Sequence, residues 1–242
     1  MKPALAIVLR AASGMAAAAL LAAAGWYGFD ALARRPIATV RFTGEVARVP
    51  AADLERLAAG LRGREGREVA LQSVRDAVKR VPWVRDCSVR RVFPGALEVS
   101  IESHAPLARW DDERLVSVRG EVFAAGYDGE LPVFAGPEGT APEMAAAWKD
   151  IARAAAPLAS PIAELRLSER RAWQAKLASG LVIELGRADV EARLARFAAV
   201  WPRVAAQAGA ATHADLRYPN GFALRGVASD DNKKIAPKGR RA

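Results

Sequence analysis

The spacing of apolar positions changes several times along this chain, and each change marks an element. Residues 11–33 are almost continuously apolar, with Asp30 the one charge near the end. As a helix the segment is about 35 Å long, enough for a hydrocarbon core. Trp26, Tyr27 and Phe29 gather toward its far end, as interfacial aromatics do. Arg34 and Arg35 follow, and Pro36 stops the helix. The reading is a cytoplasmic tail over 1–10 and a transmembrane helix over 11–33. The segment is alanine-rich, so its insertion drive is weaker than that of a leucine-rich span. Lys2 and Arg10 precede it while Arg34 and Arg35 follow, so charge does not set its orientation. Size does, because the bulk of the chain follows. A competing reading is a cleaved secretory signal with Ala22-Ala23-Ala24 as the processing site. The aromatic and Arg-Arg flank favours the anchor, and both readings export the remainder.

Past Pro36 the period drops to two. Ile37, Thr39 and Arg41 alternate with Ala38, Val40 and Phe42, a short strand ended by Gly44. Pro50 opens a helix with Leu54, Leu57, Ala58 and Leu61 on one face. After a loop rich in glycine and charge, Leu71, Val74, Val78 and Val81 form the stripe of a second helix, which Pro82 stops. Residues 84–93, the turn Pro94-Gly95, and a second arm predict a hairpin. In that arm Leu97, Val99 and Ile101 face opposite to Glu98, Ser100 and Glu102, the signature of a half-buried strand. The order over 37–104 is β-α-α-β-β. Two amphipathic helices on one face of a three-stranded sheet make a small α+β domain.

From Pro106 the pattern becomes one of short strands, at 115–118, 121–123, 131–134, 162–167, 173–177, 181–185, 214–217 and 222–225. A helix over 142–156 carries Met144, Trp148 and Ile151 on one side. Asp189 is placed to cap another, in which Val190, Leu194, Phe197 and Trp201 repeat at helical spacing. Tyr218-Pro219-Asn220-Gly221 joins the last two strands, and the polar, charged tail over 227–242 reads as disordered.

Composition adds few constraints and removes several. The 242 residues carry a net charge of +9, are 52% hydrophobic and 26% charged, and have a pI near 10.3, so most of the chain is expected to be globular. The basic residues are scattered and no basic run is interleaved with aromatics, which argues against nucleic acid. The single cysteine, Cys87, forms no intrachain disulfide and sits in a predicted strand, where a buried thiol is expected. His104 and His213 are the two histidines, and neither belongs to a nucleophile motif. Asp111, Asp112 and Glu113 are consecutive, so their side chains diverge into solvent. The sequence holds no phosphate loop, nucleophile elbow or zinc motif. No enzyme activity and no cofactor are expected.

Several motifs resemble those of the bacterial cell-division family FtsQ (DivIB in Gram-positive bacteria). They are Val81-Pro82-Trp83-Val84, then Val89-Arg90-Arg91-Val92-Phe93-Pro94-Gly95-Ala96-Leu97, Pro106-Leu107-Ala108-Arg109-Trp110, and Gly120-Glu121-Val122-Phe123. Further along come Arg170-Arg171-Ala172-Trp173-Gln174, Leu185-Gly186-Arg187, Arg193-Leu194-Ala195-Arg196-Phe197 and Asp215-Leu216-Arg217-Tyr218. The resemblance covers nearly all of the exported region in order. It implies an α+β protein: a transmembrane helix, a POTRA domain over 37–105, and a mixed β domain with flanking helices over 106–226.

The resemblance also implies a function, that of an inner-membrane divisome scaffold with its N-terminus cytoplasmic and its bulk periplasmic, at the midcell septum. Its partners would be FtsB and FtsL, with FtsK, FtsW and the septal transpeptidase as further division proteins. The family's contact with FtsB is the last strand of the β domain, extended by an added strand. Carried over by position, the partner-binding residues are Tyr218, Asn220, Gly221, Phe222, Ala223, Leu224 and Arg225, with Arg170 as a charged anchor. One departure is Val227 after Gly226, where relatives often carry a tryptophan. The alternative is a periplasmic POTRA-containing chaperone or polypeptide-transport module. A single POTRA unit without a barrel fits that less well.

Overall fold

The structure is a computed structural model and describes residues 2–33, 35–208, 211–219 and 221–226, the side chains of 2–13, 32, 33, 207 and 208 excepted. Asn220 and the predicted tail over 227–242 lie outside the described residues. The chain forms two compact units that divide between His104 and Ala105.

The first unit begins with helix α1, Lys2–Ala33. The sequence reading takes residues 11–33 as a membrane span. A helix runs through them, but no helix among the described residues is long and apolar enough to cross a membrane. Alanine is the physical reason: a lone methyl group contributes little apolar area per residue. Among its described side chains the larger apolar ones, Met15, Leu20, Leu21, Trp26, Tyr27 and Phe29, are exposed.

Strand β1 (Thr39–Gly44), helices α2 (Ala51–Leu61) and α3 (Leu71–Val78), and strands β2 (Val84–Val92) and β3 (Ala96–Ser103) follow. The sheet order is β1-β3-β2, with β1 parallel to β3 and β2 antiparallel to it. Period-two alternation sets which face is buried: Leu97, Val99 and Ile101 turn inward, and Ala58 of α2 and Val74 and Val78 of α3 are buried too. Val81, Trp83 and Cys87 complete this core. The Cys87 thiol donates to the Arg75 carbonyl at 3.7 Å, and burial pushes its pKa up. The turn after β2 needs its glycine. Gly95 has φ of 71°, and a Cβ there would lie 2.8 Å from the Pro36 carbonyl oxygen. Its own carbonyl accepts the Ala38 N–H at 2.8 Å, tying the hairpin tip to the chain just past α1.

The second unit is built on one nine-stranded sheet. Its strands are β4 (Pro106–Arg109), β5 (Arg114–Ser117), β6 (Val122–Ala124), β7 (Val133–Ala135), β8 (Ile162–Leu167), β9 (Trp173–Leu177), β10 (Val182–Gly186), β11 (His213–Asp215) and β12 (Ala223–Arg225). They lie in the order β12-β11-β10-β9-β8-β7-β4-β5-β6. The pairs β4–β7, β7–β8 and β10–β11 are parallel; the others are antiparallel. Strand β4 is not among the strands expected from the sequence. Helix α4 (Ala141–Ala155) connects β7 to β8, and α5 (Val190–Ala208) connects β10 to β11. These are the long crossovers that parallel neighbours require. Leu165, Leu167, Ala175, Ile183, Leu185 and Ala214 of the sheet bury against Met144 and Ile151 of α4 and Leu194, Phe197 and Ala198 of α5. On the other face polar side chains bond one another, as when Gln174 Nε2 donates to Glu184 Oε1 at 2.6 Å.

Candidate functional site

The sheet of the second unit ends at β12. Its residues Ala223, Leu224 and Arg225 pair with Asp215, Ala214 and His213 of β11. Among the described residues no strand pairs with its other side. A strand bonded on one side leaves alternate N–H and C=O groups unpaired on the other. Gly226 closes the strand at φ of 77°, where a Cβ would lie 2.4 Å from Thr212 Oγ1. The lack of a side chain there lets Thr212 come close, and its N–H donates to the Arg225 carbonyl at 3.0 Å.

The side chains of this edge divide into two groups. Phe222 and Leu224 are half-buried against the core. The Phe222 ring meets Phe197 edge-on, centroids 5.0 Å apart, and Phe197 in turn lies 5.0 Å from Trp201. Edge-to-face contacts of this kind add stability beyond area burial. Phe222 therefore clamps β12 to α5, a role that the sequence pattern did not suggest. Gly221, Arg225 and Tyr218 are exposed, Tyr218 to 54%. Beside them Arg193, Arg196, Phe197, Val200, Leu216 and Pro219 help to line a pocket of about 330 Å³. Arg193 and Arg196 were missed at the sequence level. Their three-residue spacing on the stripe beside Phe197 is the signal that could have found them.

Register places Arg170 relative to this edge. It sits, exposed, in the turn from β8 to β9, where the Ser168 carbonyl accepts the Arg171 N–H at 2.9 Å. Leu167 is opposite Trp173, Trp173 opposite Gly186, Glu184 opposite Asp215, and Asp215 opposite Ala223. Arg170, Arg217, Tyr218 and the start of β12 thus lie at one end of the sheet. Three strand spacings separate β9 from β12, about 14 Å. The neighbouring Arg171, also exposed, adopts φ of 60° and forms an ion pair with Glu143 of α4.

The electrostatics at this end centre on Asp215. Its carboxylate accepts Arg217 Nε at 2.8 Å, Arg217 Nη2 at 2.6 Å and the Arg217 N–H at 3.1 Å. These bonds hold its pKa below the usual carboxylate range against the opposing effect of burial, and the Arg217 pKa rises correspondingly. No group of three His, Cys, Asp or Glu side chains among the described residues could hold a metal ion. Geometrically the site is a backbone edge with an apolar notch and a basic rim, suited to another polypeptide.

Comparison with known proteins agrees in both units. Residues 35–104 match the family model for the FtsQ-type POTRA domain, and residues 108–217 match that for the C-terminal part of cell division protein FtsQ/DivIB. The chain is 42% identical over 220 residues to cell division protein FtsQ of Burkholderia pseudomallei, covering 85% of this chain and 86% of that one. This chain belongs to the FtsQ/DivIB family. Other members share 36% identity over 238 residues, in Bordetella pertussis (86% of this chain, 85% of the relative), and 35% over 203 residues, in Xanthomonas campestris (83% and 72%). The POTRA match takes in β1 to β3 with α2 and α3. The FtsQ/DivIB C-terminal match ends at Arg217, so Tyr218 and β12 lie just beyond its residues. As a family member, the chain is a cell-division protein of α+β fold.

Proposed function

We propose that this protein is a divisome scaffold without chemistry of its own, and that it captures the FtsB–FtsL pair by adding a partner strand to β12. The observation that carries the reading is the position of β12 as a terminal strand with one unpaired side. Main-chain hydrogen bonds would supply affinity, and side-chain pockets specificity. The notch beside Phe197 and Leu216 would take an apolar side chain of the added segment. Arg170 and Arg225 would pair with partner carboxylates. Helix α1 would hold the protein at the inner membrane, with its N-terminus cytoplasmic, its bulk periplasmic, and the complex at the midcell septum. By joining early to late septal proteins, with FtsK, FtsW and the septal transpeptidase among them, the protein would need no catalytic group. Family membership and the exposed apolar side chains of α1 support this placement.

The test is capture of FtsB and FtsL by the full chain in detergent, followed by site-specific crosslinking from positions 223 to 225. Crosslinks in register with an extended partner segment are expected. Capture that persists while crosslinks map only to other surfaces would overturn the reading.

A further inference from the structure

Phe93 stands at the tip of the β2–β3 hairpin and is 50% exposed. Its ring lies 6.1 Å from that of Phe29 in α1. Trp26, Tyr27 and Phe29 are themselves 73%, 74% and 62% exposed. Four uncovered aromatic rings therefore gather around the C-terminal part of α1. Between helix and hairpin, Trp26, Phe29, Asp30, Arg67, Arg91 and Phe93 line a cleft of about 390 Å³.

Local bonds fix the level of the hairpin along the helix. Arg67 pairs with Asp30 of α1 at 3.5 Å. Arg91 Nε donates to the Gly66 carbonyl at 3.0 Å and Arg91 Nη2 to the Val69 carbonyl at 2.6 Å. With Gly95 bonded to Ala38, the tip is tied to the segment that leaves α1. Wherever Phe29 sits, Phe93 sits at the same level.

We propose that the β2–β3 turn is a second membrane contact, with Phe93 seated at the boundary between headgroups and acyl chains of a phospholipid bilayer. The proposal rests on the reading of α1 as the membrane attachment. Three observations carry it. Aromatic rings prefer this boundary, where an apolar body meets a wet edge. The adjoining loop carries Arg64 and Arg67 beside Glu65 and Glu68, which complements the paired phosphate and ammonium of zwitterionic headgroups. Finally, residues 11–33 are alanine-rich, so this part of α1 offers little apolar area per residue. Apolar area added at the same depth strengthens attachment, as a second signal does for a weak anchor.

The experiment uses the full chain reconstituted with phosphatidylcholine vesicles. Flotation with the vesicles reports attachment. Phe93→Cys is then labelled with an environment-sensitive fluorophore, the wild-type chain with its buried Cys87 serving as the blank. Quenching by lipids spin-labelled near the headgroup is expected. Phe93→Ser is expected to weaken vesicle partitioning roughly tenfold, with an unchanged melting temperature. A chain that floats while its label at 93 escapes lipid-borne quenching overturns the second contact and leaves the attachment standing. A chain that fails to float overturns the attachment, and this contact with it.

Discussion

Asp215 grips Arg217, two residues further along the chain, with both carboxylate oxygens. Side chains two apart on a continuing strand point to the same face. The pair therefore clamps the chain as it leaves β11 and aims Tyr218 away from the domain. Asp215→Asn is expected to lower the melting temperature by a few degrees at neutral pH, because the charge-assisted bonds are lost. The sign with pH follows from a carboxyl whose pKa is depressed in the folded state. Its contribution is full above the unfolded value, near 3.9, and is lost as pH falls below it. Melting curves at pH 7 and at pH 3 should differ less for the variant than for the wild type.

A second acid-sensitive pair lies in the first unit. Asp86 is held at about 2, chiefly by its bonds to Arg75, with the Cys87 N–H and nearby Lys79 assisting. Asp86→Asn should flatten the fall in stability between about pH 4 and pH 2. Denaturant titrations across that window check it; an unchanged slope would count against the pairing.

Exposed residues of the candidate site should separate capture from folding. Tyr218→Ala and Arg170→Glu are each expected to shift stability by less than about 0.5 kcal/mol, since both side chains face solvent. Each should weaken FtsB–FtsL capture. Wild-type capture by two folded variants would remove both residues from the site.

Backbone chemistry offers a sharper test of strand addition. Neighbouring N–H groups on β12 point alternately toward β11 and toward the open side. Of Ala223→Pro and Leu224→Pro, one should lower thermal stability, and the other should spare it while reducing capture. If neither substitution affects capture, strand addition at this edge does not occur.

The aromatic clamp predicts coupling between core and edge. Phe197 is 1% exposed, and Phe197→Ala should cost about 3–5 kcal/mol. Phe222→Ala should cost less in global stability, yet speed amide exchange at 223–225 selectively. Hydrogen-exchange mass spectrometry reads both.

Much of the fold was legible because periodicity is local. The stripe Leu71, Val74, Val78 and the alternation Leu97, Val99, Ile101 each name a buried face from adjacent residues alone, and the named residues other than the half-buried Leu71 are buried. Strand β4 escaped because a four-residue segment that starts with proline gives too short a run to show a period. Helix α5 runs on through Pro202, where a local rule predicts a stop. Packing of Phe197 and Trp201, one turn apart on the same face of the helix, against the core outweighs the one lost bond. Asp189, expected to cap this helix, precedes it with φ of 54° and accepts the Arg193 N–H through its backbone carbonyl at 2.9 Å.

The sequence by itself determined most of the elements, the division near residue 105 and the family, because hydrophobic spacing and ordered short motifs are written in neighbouring residues. Tertiary structure alone decided that nine strands join one sheet with β12 at its end, that Arg170 and Tyr218 share an end of that sheet, and that Phe222 faces the core. It also decided that Phe93 stands level with Phe29. The reason is the same in each case: strand order and register are set by pairings between residues far apart in the chain, whose energies depend on which faces can be buried together.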